Sequence, residues 1–222
     1  EALAIDYRHE EWGVDVTVGG SQKGLMLPPG LSFNAISEKA LAAARQARMP
    51  RSFWDWQEMI AANANGFFPY TPATNMLQGL RVAIDLLHEE GLEHVFARHD
   101  RAAAATRAAV DHWGFEIQCR NPEEYSSSLT AVRLPEGHSA AAPRAEILAR
   151  SNTSLGNGLG PLADRAFRIG HLGDFNTASL TGTLAAIELG LAARGIPHRP
   201  GGVEAALRAL GGNAGPKMNA TE

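Results

Sequence analysis

The sequence predicts an α/β protein with helices packed on a small sheet, and three kinds of signal in its 222 residues carry that prediction. Short runs with the alternating or β-branched character of strands recur as VDVTV, LSFNAI, LTAVRLP and FRIGH. Longer runs place apolar residues three and four apart, as at Leu77, Leu80, Ile84 and Leu87, the spacing of one helix face. Glycine and proline punctuate the junctions between them. From about residue 91 onward the predicted order is helix, strand, strand, helix, strand, helix, helix, which describes an α/β sandwich.

Taken in order, residues 14–18 alternate as a strand and then meet Gly19-Gly20, which reads as a sharp turn. Pro28-Pro29-Gly30 is turn chemistry, because proline presets φ and glycine tolerates φ > 0. LSFNAI is a second strand, and Ser37 is placed to cap a helix through about Arg48. Residues 51–72 hold Trp54 and Trp56 without clear periodicity and are expected to form a loop with a short helix inside. An amphipathic helix runs from Ala73 to Gly91, and a second from Leu92 to Trp113, stopped by Gly114. FEIQC and LTAVRLP are the next strands. SAAAPRAEILARS is a helix with Pro143 in its first turn, and FRIGH is a short strand. Helices over Thr177–Arg194 and Gly202–Leu210 complete the pattern. Residues 213–222 are expected to be a disordered tail.

A composition of 45% hydrophobic and 20% charged residues, with net charge −4, fits a soluble globular chain. No long basic run exists, which argues against a nucleic-acid partner or an anionic membrane surface. No apolar run reaches the roughly 18 residues a membrane span needs. The single cysteine, Cys119, cannot form an internal disulfide and fits a reducing, cytoplasmic setting. None of the eight histidines pairs at i, i+4, so a zinc-helix motif is absent and no metal site is expected. The chain opens at Glu1 and runs almost at once into a strand, which leads to the expectation of a portion of a longer protein.

Lys23 is the first candidate for chemistry. Only three lysines occur, Lys23, Lys39 and Lys217, against seventeen arginines. Lys39 falls in a helical run and Lys217 in a polar tail, whereas Lys23 follows a strand and precedes GLMLPPGL. Gly19, Gly20 and Gly24 let another group approach the backbone closely, and an apolar setting would destabilise the ammonium and free a nucleophilic amine. The bland alternative is a surface lysine in a turn.

GGSQKGLMLPPGLSF resembles the cofactor-lysine motif of the class V aminotransferases of pyridoxal-phosphate fold type I, in the serine–glyoxylate and alanine–glyoxylate branch. GFFPYTPATN, SLGNGLG, FRIGHLGDFN and IPHRPGGVEAAL follow in the order that family shows, so nearly the whole chain is covered. YRHEEWGVDVTVGGSQKG and WDWQEM point to the bacterial serine–glyoxylate branch.

The resemblance implies a C-terminal part of such an enzyme. Residues 1–90 would be a remnant of the large cofactor-binding domain and its sheet, with the cofactor lysine and the long connecting helix. Residues 91–212 would be the small α/β sandwich domain. It further implies pyridoxal 5′-phosphate, a homodimer, and exchange of an amino group between small amino acids (serine favoured) and 2-oxo acids, glyoxylate above all.

Lys23 would join the cofactor and shuttle the proton, and Gln22 would donate to its phosphate. Tyr70 and Thr71 match the segment that reaches the neighbouring subunit's phosphate, with a simple helix cap as the other reading of Thr71. Arg168 would hold the substrate α-carboxylate; without the resemblance, an ion pair with Asp164 or Asp174 is the plainer reading. Phe68 stands where some members carry a tyrosine. The family's ring-stacking aromatic and its aspartate facing the pyridine nitrogen precede Glu1, so activity is expected of the complete protein. GNGLG at 156–160 reads as a mobile loop near the active-site mouth. A cysteine desulfurase would need its cysteine on a mobile loop, whereas Cys119 falls in a predicted strand. A non-catalytic remnant is the remaining alternative.

Overall fold

A computed structural model describes residues 3–212, and the expected tail at 213–222 lies outside the described residues. The chain divides into two units, one of residues 6–91 and one of residues 92–212 together with Leu3–Ile5.

In the first unit, β1 (Val16–Gly20) and β2 (Ser32–Ile36) pair antiparallel, from Val16 opposite Ile36 to Gly20 opposite Ser32. Gly19 and Gly20 continue the strand instead of turning, and neither takes a positive φ. At Gly20 the missing side chain leaves room for the Gln22 carboxamide, whose Oε1 would stand 2.7 Å from a Cβ there. The turn comes later, over residues 21–31, and Ser21 closes it. This fully buried serine donates its hydroxyl to the Pro28 carbonyl (2.7 Å) and accepts from the Leu31 amide (3.1 Å). Its own amide donates to Leu31 O, and its carbonyl accepts from Leu27 N. Every polar group of one residue is thereby committed to the ends of the same turn.

Ser37 caps α1 (Glu38–Gln46) by accepting from the Ala40 amide at 3.1 Å, and its hydroxyl donates to Asp15 at 2.7 Å. Asp55 caps the short α2 (Trp56–Asn63) inside the loop region. The long helix is α3 (Thr74–Glu90), ended by Gly91 at φ +84°. Gly79 on α3 leaves room for Leu27 of the turn, since a Cβ there would approach Leu27 Cδ2 to 2.9 Å.

The second unit begins with α4 (Leu92–Trp113). It continues through β3 (Glu116–Ile117), β4 (Leu129–Arg133), α5 (Ala141–Ser151), β5 (Gly156–Asn157), β6 (Ala166–Gly170), α6 (Thr177–Ala193) and α7 (Gly202–Gly212). Its four strands form an antiparallel sheet in the order β3-β4-β6-β5. β5 was not foreseen, because Gly-Asn carries no strand signature. FEIQC pairs only at Glu116–Ile117: Phe115 turns into the core and Cys119 lies beyond the ladder, contrary to its expected place in a strand.

Alternation along β4 and β6 divides the faces. Thr130, Val132, Phe167 and Ile169 are buried with Ala109, Val110 and Trp113 of α4 and Leu184, Ile187 and Leu191 of α6. Leu129, Ala131, Arg133 and Arg168 point the other way.

Two polar devices lock this unit. Glu188 on α6 accepts from Trp113 Nε1 (2.8 Å), Gly201 N (2.7 Å) and Gly202 N (2.9 Å), which caps α7. Burial would raise this carboxyl, but the three donors outweigh it and hold it below its ordinary value. A Cβ at Gly202 would overlap the Trp113 indole, so only glycine fits.

The loop after β6 is fixed by two buried histidines. His99 lies close to Val95 O (Nδ1, 2.7 Å) and accepts from the Gly173 amide at Nε2 (3.1 Å). His171 donates from Nδ1 to Ser127 O, which leaves Nε2 to accept from the Thr130 hydroxyl, both at 3.0 Å. Desolvation, with Arg107 and His99 nearby, pushes His171 down to about 4 against the pull of its Ser127 bond.

Because the folded ring titrates below the unfolded one, its contribution is complete above about pH 6.5 and is lost as pH falls through about 4. Urea unfolding at pH 7 and pH 4 should differ by roughly 3 kcal/mol more than in a His171→Gln variant. For the first unit, Ser21→Ala should cost about 1–2 kcal/mol. Amide exchange should speed up at Leu31 but not at Ala40, whose cap is independent of the turn.

Candidate active site

Lys23 sits three residues past β1, inside the turn that Ser21 closes. Its amide donates to Gly20 O (3.2 Å), and its carbonyl accepts from Met26 N (2.9 Å). Met26 adopts φ +61°, a left-handed backbone that methionine rarely takes, so the segment after the lysine is held in a sparsely populated conformation. The apolar setting expected for Lys23 is not what the fold provides. Gly24 beside it is buried, but the lysine itself is exposed, and its ammonium makes no hydrogen bond or ion pair among the described residues. The glycines make room for backbone and for Gln22, and do not wall in the amine. Lys39, by contrast, is taken up by Asp15 at 2.7 Å.

Gln22 is adjacent and exposed, its carboxamide lying over Gly20. Tyr70 stacks on Phe53 with ring centroids 4.9 Å apart, and its hydroxyl donates to Glu58 at 3.3 Å with Ser52 at the same distance. Thr71 is exposed and does not cap α3. The helix starts three residues later, with Ala73 at the cap position and no side chain on its first amides. The helix-cap reading of Thr71 therefore falls; the Thr74 amide donates to Pro72 O (3.0 Å), and the positive dipole end of α3 carries no side-chain cap. Among the described residues no hydrogen bond links Tyr70 or Thr71 to the Lys23 turn.

Arg168, in the second unit, is half-buried on the sheet face turned away from α4 and α6. Its Nε donates to the Asn157 carbonyl at 2.8 Å. Neither Asp164 nor Asp174 pairs with it. Asp164 instead accepts from the Ser139 hydroxyl and the Ala141 and Ala140 amides, which hold its carboxyl below the usual range. Among the described residues the Arg168 guanidinium has no acidic partner, and its two terminal nitrogens make no hydrogen bond. A planar cation held by one backbone carbonyl and open along its outer edge is suited to a carboxylate.

GNGLG, read as a loop, contributes its first two residues to β5, and its three glycines meet three separate requirements. A Cβ at Gly156 would crowd Arg168, a Cβ at Gly158 would overlap the Leu162 carbonyl, and Gly160 takes φ +53°. The first of these residues was missed by sequence reasoning, which had no means of knowing that Gly156 lies opposite Arg168 in the ladder.

Cys119 is half-buried beyond β3 and donates weakly to Asn121 O at 3.5 Å. It borders a cavity of about 380 Å³ that Arg107, Gln118 and Tyr125 also line and that none of the other candidate residues reaches. No group of metal-binding side chains occurs among the described residues, and no helix there is long and apolar enough to cross a membrane.

No family model matches the chain. It is 46% identical over 214 residues to serine–glyoxylate aminotransferase of Hyphomicrobium methylovorum, covering 95% of this chain and 53% of that protein. It is 44% identical over 204 residues to L-aspartate–glyoxylate aminotransferase of Paracoccus denitrificans, covering 91% and 52%. Among solved structures, pyridoxamine–pyruvate aminotransferase from Mesorhizobium loti superposes with a TM-score of 0.85 at 33% identity, over 96% of this chain and 55% of that one. The chain spans about half the length of the curated relatives it matches. In sequence and in fold the chain is similar to these aminotransferases over about half of their length.

Proposed function

We propose that the complete protein transfers an amino group from a small amino acid, serine being favoured, to glyoxylate, giving glycine and a 2-oxo acid. The observation that carries this reading is the Arg168 guanidinium, half-buried, fixed through Nε and without an acidic partner among the described residues. Both substrates of a transamination present the same carboxylate next to the reacting carbon, so one arginine serves both half-reactions. The names of the glyoxylate aminotransferases to which the chain is 44–46% identical support glyoxylate as acceptor.

The donor set fits pyridoxal phosphate: a primary amine without a partner among the described residues, a carboxamide beside it, and a phenol and a hydroxyl ahead of a helix start with no side-chain cap. Lys23 would hold the cofactor's aldehyde carbon, and Gln22, Tyr70 and Thr71 its phosphate. When bound, the cofactor supplies an electron sink for the bond breaking at the substrate's α-carbon. Lys23 Nζ would carry the proton that leaves the α-carbon, with no competing salt bridge among the described residues to hold the amine elsewhere. Arg168 would fix the substrate's carboxylate through its free terminal nitrogens.

The complete protein is read as a cytoplasmic homodimer, supported by the single unpaired thiol and by exposed Phe53, Trp54, Phe67 and Phe68 in the segment that carries Tyr70.

In the full-length protein, borohydride reduction after adding pyridoxal phosphate should place the pyridoxyl group on Lys23 and not in Lys23→Ala; an adduct mapped to Lys39 or Lys217 would refute the assignment. Arg168→Ala should weaken serine and glyoxylate alike by about 2–5 kcal/mol while reductive trapping at Lys23 persists. Unchanged Michaelis constants with lowered stability would make Arg168 structural and leave the chain's relatives as the sole support for transamination.

A further inference from the structure

We infer that Gly156 is a positioning residue for Arg168, and that β5 exists to hold the guanidinium with its outer edge presented to a carboxylate. The inference rests on the carboxylate role proposed for Arg168. β5 is two residues long, and both serve the arginine. Gly156 lies directly opposite Arg168 in the ladder, and Asn157 supplies the carbonyl that accepts from Nε at 2.8 Å.

A Cβ built on Gly156 would stand 3.1 Å from Arg168 Nε, 3.2 Å from its Cβ and 3.4 Å from Cζ. The guanidinium therefore lies over the bare backbone of residue 156, where any side chain would lift it. Gly156 does not take the left-handed φ that would call for glycine on conformational grounds, so space is the reason for it. The far end of the segment is anchored independently, since the Gly158 amide donates to Ala166 O at 2.9 Å and a Cβ at Gly158 would overlap the Leu162 carbonyl.

The same contact decides which edge of the guanidinium is used. An arginine can grip a carboxylate through Nε and one terminal nitrogen or through its two terminal nitrogens. With Nε already donating to Asn157, the pair left for bidentate binding is Nη1 and Nη2, so the carboxylate is met end-on. A methyl group at 156 would oblige the guanidinium to give by a few tenths of an ångström, which stretches the Nε bond and turns that edge. Binding groups need to be held to about half an ångström, so a shift of this order is felt.

The test is a double-mutant cycle in the full-length protein, with Michaelis constants for L-serine and glyoxylate measured in Gly156→Ala, Arg168→Ala and the double variant. Gly156→Ala should raise both constants about tenfold or more. In the Arg168→Ala background the same change should add less than about twofold. An equal penalty in both backgrounds, or none in either, would overturn the inference while leaving Arg168 as the carboxylate ligand. No effect of Arg168→Ala itself would fell the ligand role, and the inference with it.

A measurement that needs no folded variant stands beside the cycle. In the full-length protein the Arg168 Nε–H should give one slowly exchanging NMR resonance, as a donor bonded to Asn157 does. A rapidly exchanging, averaged signal would overturn the inference even if Gly156→Ala could not be purified.

Discussion

Strand β6 has to reconcile two opposite demands within five residues, and the second unit is organised around how it does so. Phe167 and Ile169 must be dry, packed between β4 and the helices, while Arg168 between them must keep a charged group in reach of solvent. A strand permits this because successive side chains leave on opposite faces. A slip of one residue would bury the guanidinium without a counter-charge and expose two large apolar groups. Pairing with β4 over five positions excludes that slip, and β5 then finishes the polar side with one carbonyl and one missing side chain.

The first unit solves a related problem with hydrogen bonds in place of packing. Its candidate residues lie on turns, and turns hold shape only if their backbone groups are satisfied. Ser21 does this from the base of the Lys23 loop, and Gly79 of α3 lets Leu27 lean on the long helix. The lysine is consequently displayed on a supported loop and not buried in it. The sequence suggested the reverse, because glycines next to a lysine read equally well as an enclosing pocket or as backbone clearance. Only the coordinates distinguish the two, by showing that Gly20 makes way for Gln22.

Much of the architecture could be read in advance because it rests on local periodicity. Leu77, Leu80, Ile84 and Leu87 marked α3, Gly91 and Gly114 marked helix ends, and Ser37 announced the cap of α1. What could not be read depends on partners distant in sequence. Nothing in FEIQC says that its ladder stops after Ile117, and nothing in GNGLG says that its first glycine faces an arginine a dozen residues away. Arg168 itself was legible as a cation in an apolar strand, but its freedom from Asp164 follows from Asp164 being engaged with Ser139 and Ala141. Thr71 illustrates the limit of cap logic: a threonine near a helix start is a cap only if the helix begins next to it, and α3 begins three residues on.

The clamp at Glu188 gives the second unit a built-in optical gauge. Its carboxylate ties the Trp113 indole, at the end of α4, to the first amides of α7. Trp113 is 2% exposed, whereas Trp12 and Trp54 in the first unit are more than half exposed and Trp56 is half-buried. A buried indole emits further to the blue than a solvated one. Undocking of α7 would strip the indole of its acceptor's other partners and open its edge to water, so the blue part of the emission tracks the seating of a helix that contains no chromophore of its own.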